Sequence, residues 1–288
     1  MKPLFMWAGG KTRMIKKYGD HLPNEVTHYV EPFLGAGAMF VWAYKKNPSA
    51  NFVLNDFNDS IMSIYECIKQ DCKMFIERLD ELSEIYLPLD KENRKKFYYK
   101  LRQEHAFDFA EWTKTYEAAT LYFLMKTGFN GIWQINKNTN NRFGTPSGLL
   151  NQKDKVYDKD NLLKWHEALQ KCTLTSGDFN DTLEHVTEKS YVFLDPPYRG
   201  SFTQYGVDFD DALQEGVIQY LNECGKKGAY AMMSNRDIQD GFFESRAGNN
   251  EIVYFDVTYT AGRRKKNDDG THSAKKAREI LMIANRGG

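Results

Sequence analysis

Asp195, Pro196, Pro197 and Tyr198 put a carboxylate, a stiff backbone and an aromatic ring on four consecutive positions. The two prolines fix φ and carry no N–H, so nearby carbonyl oxygens remain free to accept hydrogen bonds. Acceptors beside a ring suit an exocyclic amine on a planar heterocycle: the oxygens hold the NH2 and the ring stacks on the base. The same residues also read as a strand ending in a proline turn, with the aspartate capping the next segment.

A second group of residues suits a nucleoside. Glu31-Pro32-Phe33-Leu34-Gly35-Ala36-Gly37 places a G-x-G turn, flanked by the Phe33 ring, between a strand and a helix. Glycine there allows close backbone approach and φ > 0. The third glycine of the dinucleotide fingerprint is missing, because position 40 is Phe, which disfavours a pyrophosphate. Asp56 ends the next strand, where a carboxylate can accept from ribose hydroxyls. A nucleoside without a pyrophosphate, such as S-adenosylmethionine (AdoMet), satisfies both facts. The segment Trp7 to Thr12 ends like a phosphate-binding P-loop, but Phe5 stands at its first glycine and no strand signal precedes it. What remains is a ring, a glycine pair and Lys11 leading into a helix, a setting for the methionine carboxylate. Gly177-Asp178-Phe179 offers a carboxylate and a ring for an adenine, and Asp178 reads equally well as a helix N-cap.

These groups need a scaffold that brings strand ends together. Tyr191 to Leu194 (YVFL) reads as a short buried strand, with the Asp-Pro-Pro-Tyr turn at its C-terminal end, where open α/β sheets place ligands. Residues 28–31 and 51–55 read as strands, each followed by a helix, to about 46 and from 58 to 69. That βαβα start implies a parallel sheet with helices on its faces. Further strand signals stand at 172–175, 229–233, 252–257 and 280–284. Between them, 71–86, 92–106 and 109–127 have helical spacing of apolar residues, and 130–150 reads as an irregular hairpin rich in Asn, Gly, Thr and Pro. The expectation is a Rossmann-like α/β catalytic domain over 1–70 and 166–288, interrupted by a mainly helical inserted subdomain, 71–165, that carries a β-hairpin.

The chain has 288 residues with 39 basic and 39 acidic side chains, so its formal charge is zero. That argues against a generic nucleic-acid coat, yet leaves room for a local basic face. From Arg263 to Arg286 there are eight basic residues, among them Arg263, Arg264, Lys265 and Lys266, against three acidic ones. The run suits phosphates, although a solvated loop is the default reading of such a run. Cys67, Cys72, Cys172 and Cys224 lack zinc or disulfide spacing. No apolar run reaches membrane length, and the first residues, MKPLFMWAGGK, are too short and too soon charged for a signal peptide. A cytoplasmic protein without metal or membrane association is expected.

In order along the chain, FMWAGGK (5–11), EPFLGAGAMF (31–40), LNDFN (54–58), FLMKTGFNGIWQIN (123–136), FGTPSG (143–148), LDPPY (194–198) and SNRD (234–237) resemble the Dam-like adenine-N6 DNA methyltransferases of the alpha class. The resemblance spans nearly the whole chain. It implies AdoMet as methyl donor, double-stranded DNA as substrate and an adenine flipped out of the stack. It places Trp7, Lys11, Asp56, Asp195 and, more weakly, Asp178 around AdoMet. It assigns Asp195 and the Pro196 carbonyl to the N6 amine and Tyr198 to stacking on the base. It makes Phe129 a wedge into the stack and Asn130 a contact at the opened site. Gln134 stands where GATC-methylating relatives carry Arg. Gln favours adenine where Arg favours guanine, so GATC is not the expected site, and a solvent-facing hairpin role is an equal reading of Gln134. A cognate restriction endonuclease is a possible partner. Cytosine-N4 or RNA-adenine methylation and a catalytically silent DNA-binding homologue remain as alternatives. The missing third glycine counts against an NAD-dependent oxidoreductase.

Overall fold

The computed structural model describes residues 1–7, 9–148, 155–200, 209–259, 265–266, 272–273 and 275–286. Of the expected contacts, Arg263 and Arg264 lie outside these residues.

A 3-10 turn, Lys11–Arg13, runs into the short helix α1 (Met14–Tyr18). The first βαβα unit comes next: β1 (His28–Glu31), α2 (Ala38–Lys46), β2 (Asn51–Asp56) and α3 (Asp59–Tyr86). Asn58 caps α3 through its side chain, which accepts from the Ser60 and Ile61 N–H groups. The two helices expected over 58–69 and 71–86 are one, broken by non-helical backbone at Asp71 (φ −143°, ψ 62°). Asp71 is the first residue of the expected inserted subdomain.

Helices α4 (Lys91–Phe107) and α5 (Lys114–Thr127) follow, and Asp90 and Thr113 supply their N-caps. The irregular stretch contains the hairpin β3 (Ile135–Asn136) and β4 (Arg142–Phe143), paired antiparallel. The chain returns through α6 (Lys159–Leu169), so the expected border at 165/166 falls inside a helix. Trp165 on α6 is fully buried against Phe40 and Tyr65, with centroids 5.2 and 5.3 Å away, which joins this helix to the sheet layer.

The remaining elements are β5 (Cys172–Ser176), β6 (Ser190–Leu194), α7 (Asp211–Lys226), β7 (Tyr230–Asp237), β8 (Glu251–Tyr259), β9 (Lys265–Lys266), β10 (His272–Ser273) and β11 (Lys275–Ile283). The central sheet has seven strands in the order β5-β2-β1-β6-β7-β11-β8. The first five run parallel, and β11 is antiparallel to both of its neighbours. Side chains alternate across it: Tyr191 and Phe193 face the layer of α2, α3 and α6, while Val192 and Leu194 face α7. The fold is thus α/β and Rossmann-like, with parallel strand ends of β1, β2, β5, β6 and β7 on one edge. The basic tail is not simply a solvated loop, because β11 lies inside the sheet and β9 pairs with β10.

Candidate active site

The C-terminal ends of β1, β2, β5, β6 and β7 open onto a cavity of about 470 Å³, within the range of small-molecule sites. Its lining includes Trp7, Lys11, Phe33, Gly35, Asp56, Asp178, Phe179, Asp195, Pro196 and Tyr198, so most of the expected site residues converge. Gly37 stands behind the wall instead. It sits at φ 72° as the N-cap of α2, and a Cβ there would come within 2.5 Å of Trp165. Its glycine is required by packing. Gly35 (φ +50°) meets the indole of Trp7, where a Cβ would lie 2.8 Å from Nε1.

Asp56 and the two phenylalanines form one end of the cavity. The Asp56 carboxylate accepts from the Gly35 N–H (2.8 Å) and the Asn58 N–H (3.0 Å), which fixes its orientation. Burial pushes its carboxyl above the usual carboxylate range, against those two bonds. Phe33 and Phe179 lie 5.2 Å apart. Asp178 acts as the N-cap of the 3-10 segment Phe179–His185, accepting from Asn180 N–H at 2.8 Å, and it also borders the cavity. The N-cap reading of this residue is observed, and its place on the cavity wall leaves it available to a ligand. A carboxylate for hydroxyls and rings for a flat heterocycle fit the adenosine portion of AdoMet.

Asp195 occupies the other end. Its Oδ1 accepts from Lys11 Nζ at 2.7 Å and from Ser234 Oγ at 2.8 Å. Burial raises its carboxyl above the ordinary value, while Lys11 and Ser234 pull it down and Glu279 pushes it up. Lys11 is 3% exposed, also donates to the Gly9 carbonyl (2.7 Å), and stands 4.6 Å from the centre of the Tyr198 ring. The Tyr198 hydroxyl donates to Glu279 at 3.0 Å. Glu31 lies buried at the cavity floor and accepts from Tyr29 (2.9 Å); burial drives its carboxyl well above the usual range.

Several lining or supporting groups were not assigned roles from sequence: Ser234, Arg236, Glu279 and Gln214. Ser234 and Arg236 belong to SNRD, a polar run closing an apolar strand as Asp-Pro-Pro-Tyr does, and that parallel is a usable signal. Glu279 adjoins an apolar strand and Gln214 sits in an amphipathic helix, with nothing local to mark either.

The recognition candidates lie on the 3-10 turn Phe129–Gly131, on the approach to β3 and on β9. Phe129 and Asn130 are exposed, and Asn130 adopts φ 53°. Gly131 packs on Met6, and Trp133 lies 6.3 Å from Trp7, which ties this loop to the cavity rim. Gln134 is half-buried, and its carbonyl accepts from Gly144 N–H at 2.7 Å across the hairpin. Lys265 and Lys266 are on β9. Among the described residues, no cluster of three or more His, Cys, Asp or Glu is placed to hold a metal, and no helix is long and apolar enough to cross a membrane.

With its strand ends around a nucleoside-sized cavity and an Asp-Pro-Pro-Tyr turn on its wall, the molecule has the architecture of an AdoMet-dependent methyltransferase of base amines. Residues 7–244 match the model of the D12 class N6 adenine-specific DNA methyltransferases, and the chain belongs to that family. It is similar to the Type II methyltransferase M.MjaIII of Methanocaldococcus jannaschii, 31% identical over 294 residues, covering 98% of this chain and 99% of the relative. It also resembles the retron Ec67 DNA adenine methylase of Escherichia coli (29% identity, 82% and 78% covered) and the DNA adenine methylase of Haemophilus influenzae (28%, 82% and 80%). The chain is an adenine-specific DNA methyltransferase that uses AdoMet.

Proposed function

We propose that this enzyme methylates the N6 amine of an adenine turned out of duplex DNA, and that residues 71–165 form its target-recognition subdomain. The observation that carries this reading is the pairing of Asp195 with Lys11 beside the Tyr198 ring: an N–H donor already sits on the carboxylate and next to the aromatic face. The residues fit AdoMet, with Asp56, Phe33 and Phe179 at the nucleoside end and Trp7 and Gly35 along the wall. When bound, AdoMet supplies a methyl group on a sulfonium, a good leaving group.

The chain's own residues then have defined tasks. The N6 lone pair of adenine is delocalised into the ring and weakly nucleophilic. Accepting both amine hydrogens, at the Asp195 carboxylate and the Pro196 carbonyl, favours a pyramidal nitrogen and aims its lone pair. Only an ionised carboxylate is purely an acceptor, and Lys11 opposes the burial that would protonate Asp195. Tyr198 stacks on the base. Fixed acceptors and a fixed platform act by positioning and electrostatics. A paired adenine hides its amine, so the base must leave the duplex first.

Phe129 enters the stack, Asn130 meets the opened site and Gln134 reads a base edge in the major groove. Arg263, Arg264, Lys265 and Lys266 approach phosphates. The enzyme acts in the cytoplasm. Relatives named Type II methyltransferases motivate a cognate restriction endonuclease as a partner. A transfer assay with methyl-labelled AdoMet on duplex DNA, single-stranded DNA and RNA tests the substrate: label is expected on duplex adenine, and preferential labelling of RNA or of cytosine would overturn the reading.

A further inference from the structure

Tyr198 is held by more than its side chain. The Pro197 carbonyl on its N-terminal side accepts from Gln214 Nε2 at 2.6 Å, and the Arg199 N–H on its C-terminal side donates to Asn235 Oδ1 at 3.1 Å. Asn235 Nδ2 donates to Gln214 Oε1 at 2.8 Å, which closes the chain of bonds. Asn235 Oδ1 also accepts from the Arg236 N–H at 2.8 Å. Each amide therefore has one allowed orientation, since the acceptor end of Asn235 faces two N–H groups and its donor end faces Gln214. Both side chains are fully buried, Gln214 on α7 and Asn235 on β7. A buried amide is costly unless bonded, and here the bonds converge on the backbone either side of one residue.

We infer that Gln214 and Asn235 are positioning residues that clamp the Tyr198 backbone and so fix the ring against which the target base stacks. The inference rests on the proposed stacking of the base on Tyr198. Gln214 occupies one lone pair of the Pro197 carbonyl and fixes that peptide, next to the Pro196 carbonyl proposed to accept from the amine. Without the clamp, the peptide units on both sides of Tyr198 lose their partners and the ring and the Pro196 carbonyl drift together. The AdoMet end, built from Asp56, Phe33 and Phe179, shares none of these bonds.

The test uses the full-length protein with Gln214→Met, Asn235→Ala and the double variant, after thermal melting shows which are folded. Single-turnover methyl transfer is measured at saturating AdoMet and saturating duplex DNA prepared without adenine methylation. AdoMet affinity is read separately from intrinsic tryptophan fluorescence. Each single variant is expected to slow transfer by about 10²-fold, the scale of a 1 Å misplacement, with the AdoMet dissociation constant unchanged. The double variant is expected to be no slower than the worse single one, because both break one chain. If Gln214→Met does not fold, Asn235→Ala answers alone by removing the acceptor of the Arg199 N–H. Transfer at the wild-type rate in a folded variant, or AdoMet affinity lost in parallel with rate, would overturn the inference. The wild-type protein in the same assay reports on adenine methylation itself, so the two failures are distinct.

Discussion

Lys11 Nζ lies 2.7 Å from Asp195 Oδ1 in a buried pair, the ammonium also flanked by the Tyr198 ring. The carboxylate expected to accept hydrogen bonds from the substrate amine accepts one from a protein ammonium. Burial raises the Asp195 carboxyl and Lys11 is its largest opposing influence.

Replacing Lys11 with Met therefore moves the Asp195 carboxyl upward, because burial then loses its largest opposing influence. The acidic limb of the transfer-rate profile should shift to higher pH, and transfer at neutral pH should fall by about 10²-fold or more. Single-turnover rates across pH check this; an acidic limb that stays in place would separate it from Asp195.

Glu31 gives a stability prediction of definite sign. Its carboxyl is raised by burial from an ordinary value of 4.5, so the native state prefers it protonated. Its contribution is full below about pH 4.5 and is lost as pH rises through the raised native value. Glu31→Gln can still pair with Tyr29, whose hydroxyl accepts as well as donates. Without ligand, the variant should melt higher than wild type at pH 8, with a shallower decline from pH 5 to 8. Parallel melting curves for the two proteins would remove Glu31 as the cause.

His105 has the opposite dependence. Both ring nitrogens are buried without hydrogen-bond partners among the described residues, and burial, with Arg142 nearby, depresses the imidazolium to about 3. The unfolded chain takes up a proton from about pH 6.5 downward while the native state does not, so stability is lost as pH falls from there toward about 3. At pH 5 that loss is about 2 kcal/mol. Denaturant titrations of His105→Leu should show a difference between pH 7 and pH 5 smaller by about that amount; an equal difference would mean His105 is already protonated or solvated.

The β3–β4 hairpin, proposed to recognise the target, carries a specificity prediction. Gln134 stands on the approach to β3 of the hairpin and is not among the residues that line the cavity. Gln134→Arg should change the methylated sequence, toward guanine at the position read, while AdoMet affinity stays unchanged. Sequencing of the methylated sites checks it, and an unaltered profile would leave Gln134 as a hairpin side chain.

How much of this was visible in the residues depends on which interactions are local. Strand ends marked by a sharp change from apolar to polar, as at Leu194–Asp195 and Asn55–Asp56, announced both halves of the cavity. The turn glycines were legible too, although the role of Gly37 was not, since the indole that fills its Cβ position comes from Trp165 far along the chain. The extent of β11 was only partly visible: its apolar half signals a strand, but Lys275 to Arg278 reads as a charged loop until pairing with β7 and β8 absorbs it. Arg278 is satisfied there by an ion pair with Asp237. Long-range polar partners, such as Glu279 for Tyr198 and Gln214 for the Pro197 carbonyl, leave no mark on sequence spacing.

The most direct test is to express the wild-type chain and Asp195→Ala in a strain without adenine methylation and sequence the genomic DNA for N6-methyladenine. The wild type should leave methyl groups on adenine within one short recurring sequence, and the folded variant, present at the same level, should leave none. Equal adenine methylation by both proteins would contradict the role of Asp195, and methyl groups on cytosine instead would contradict the substrate.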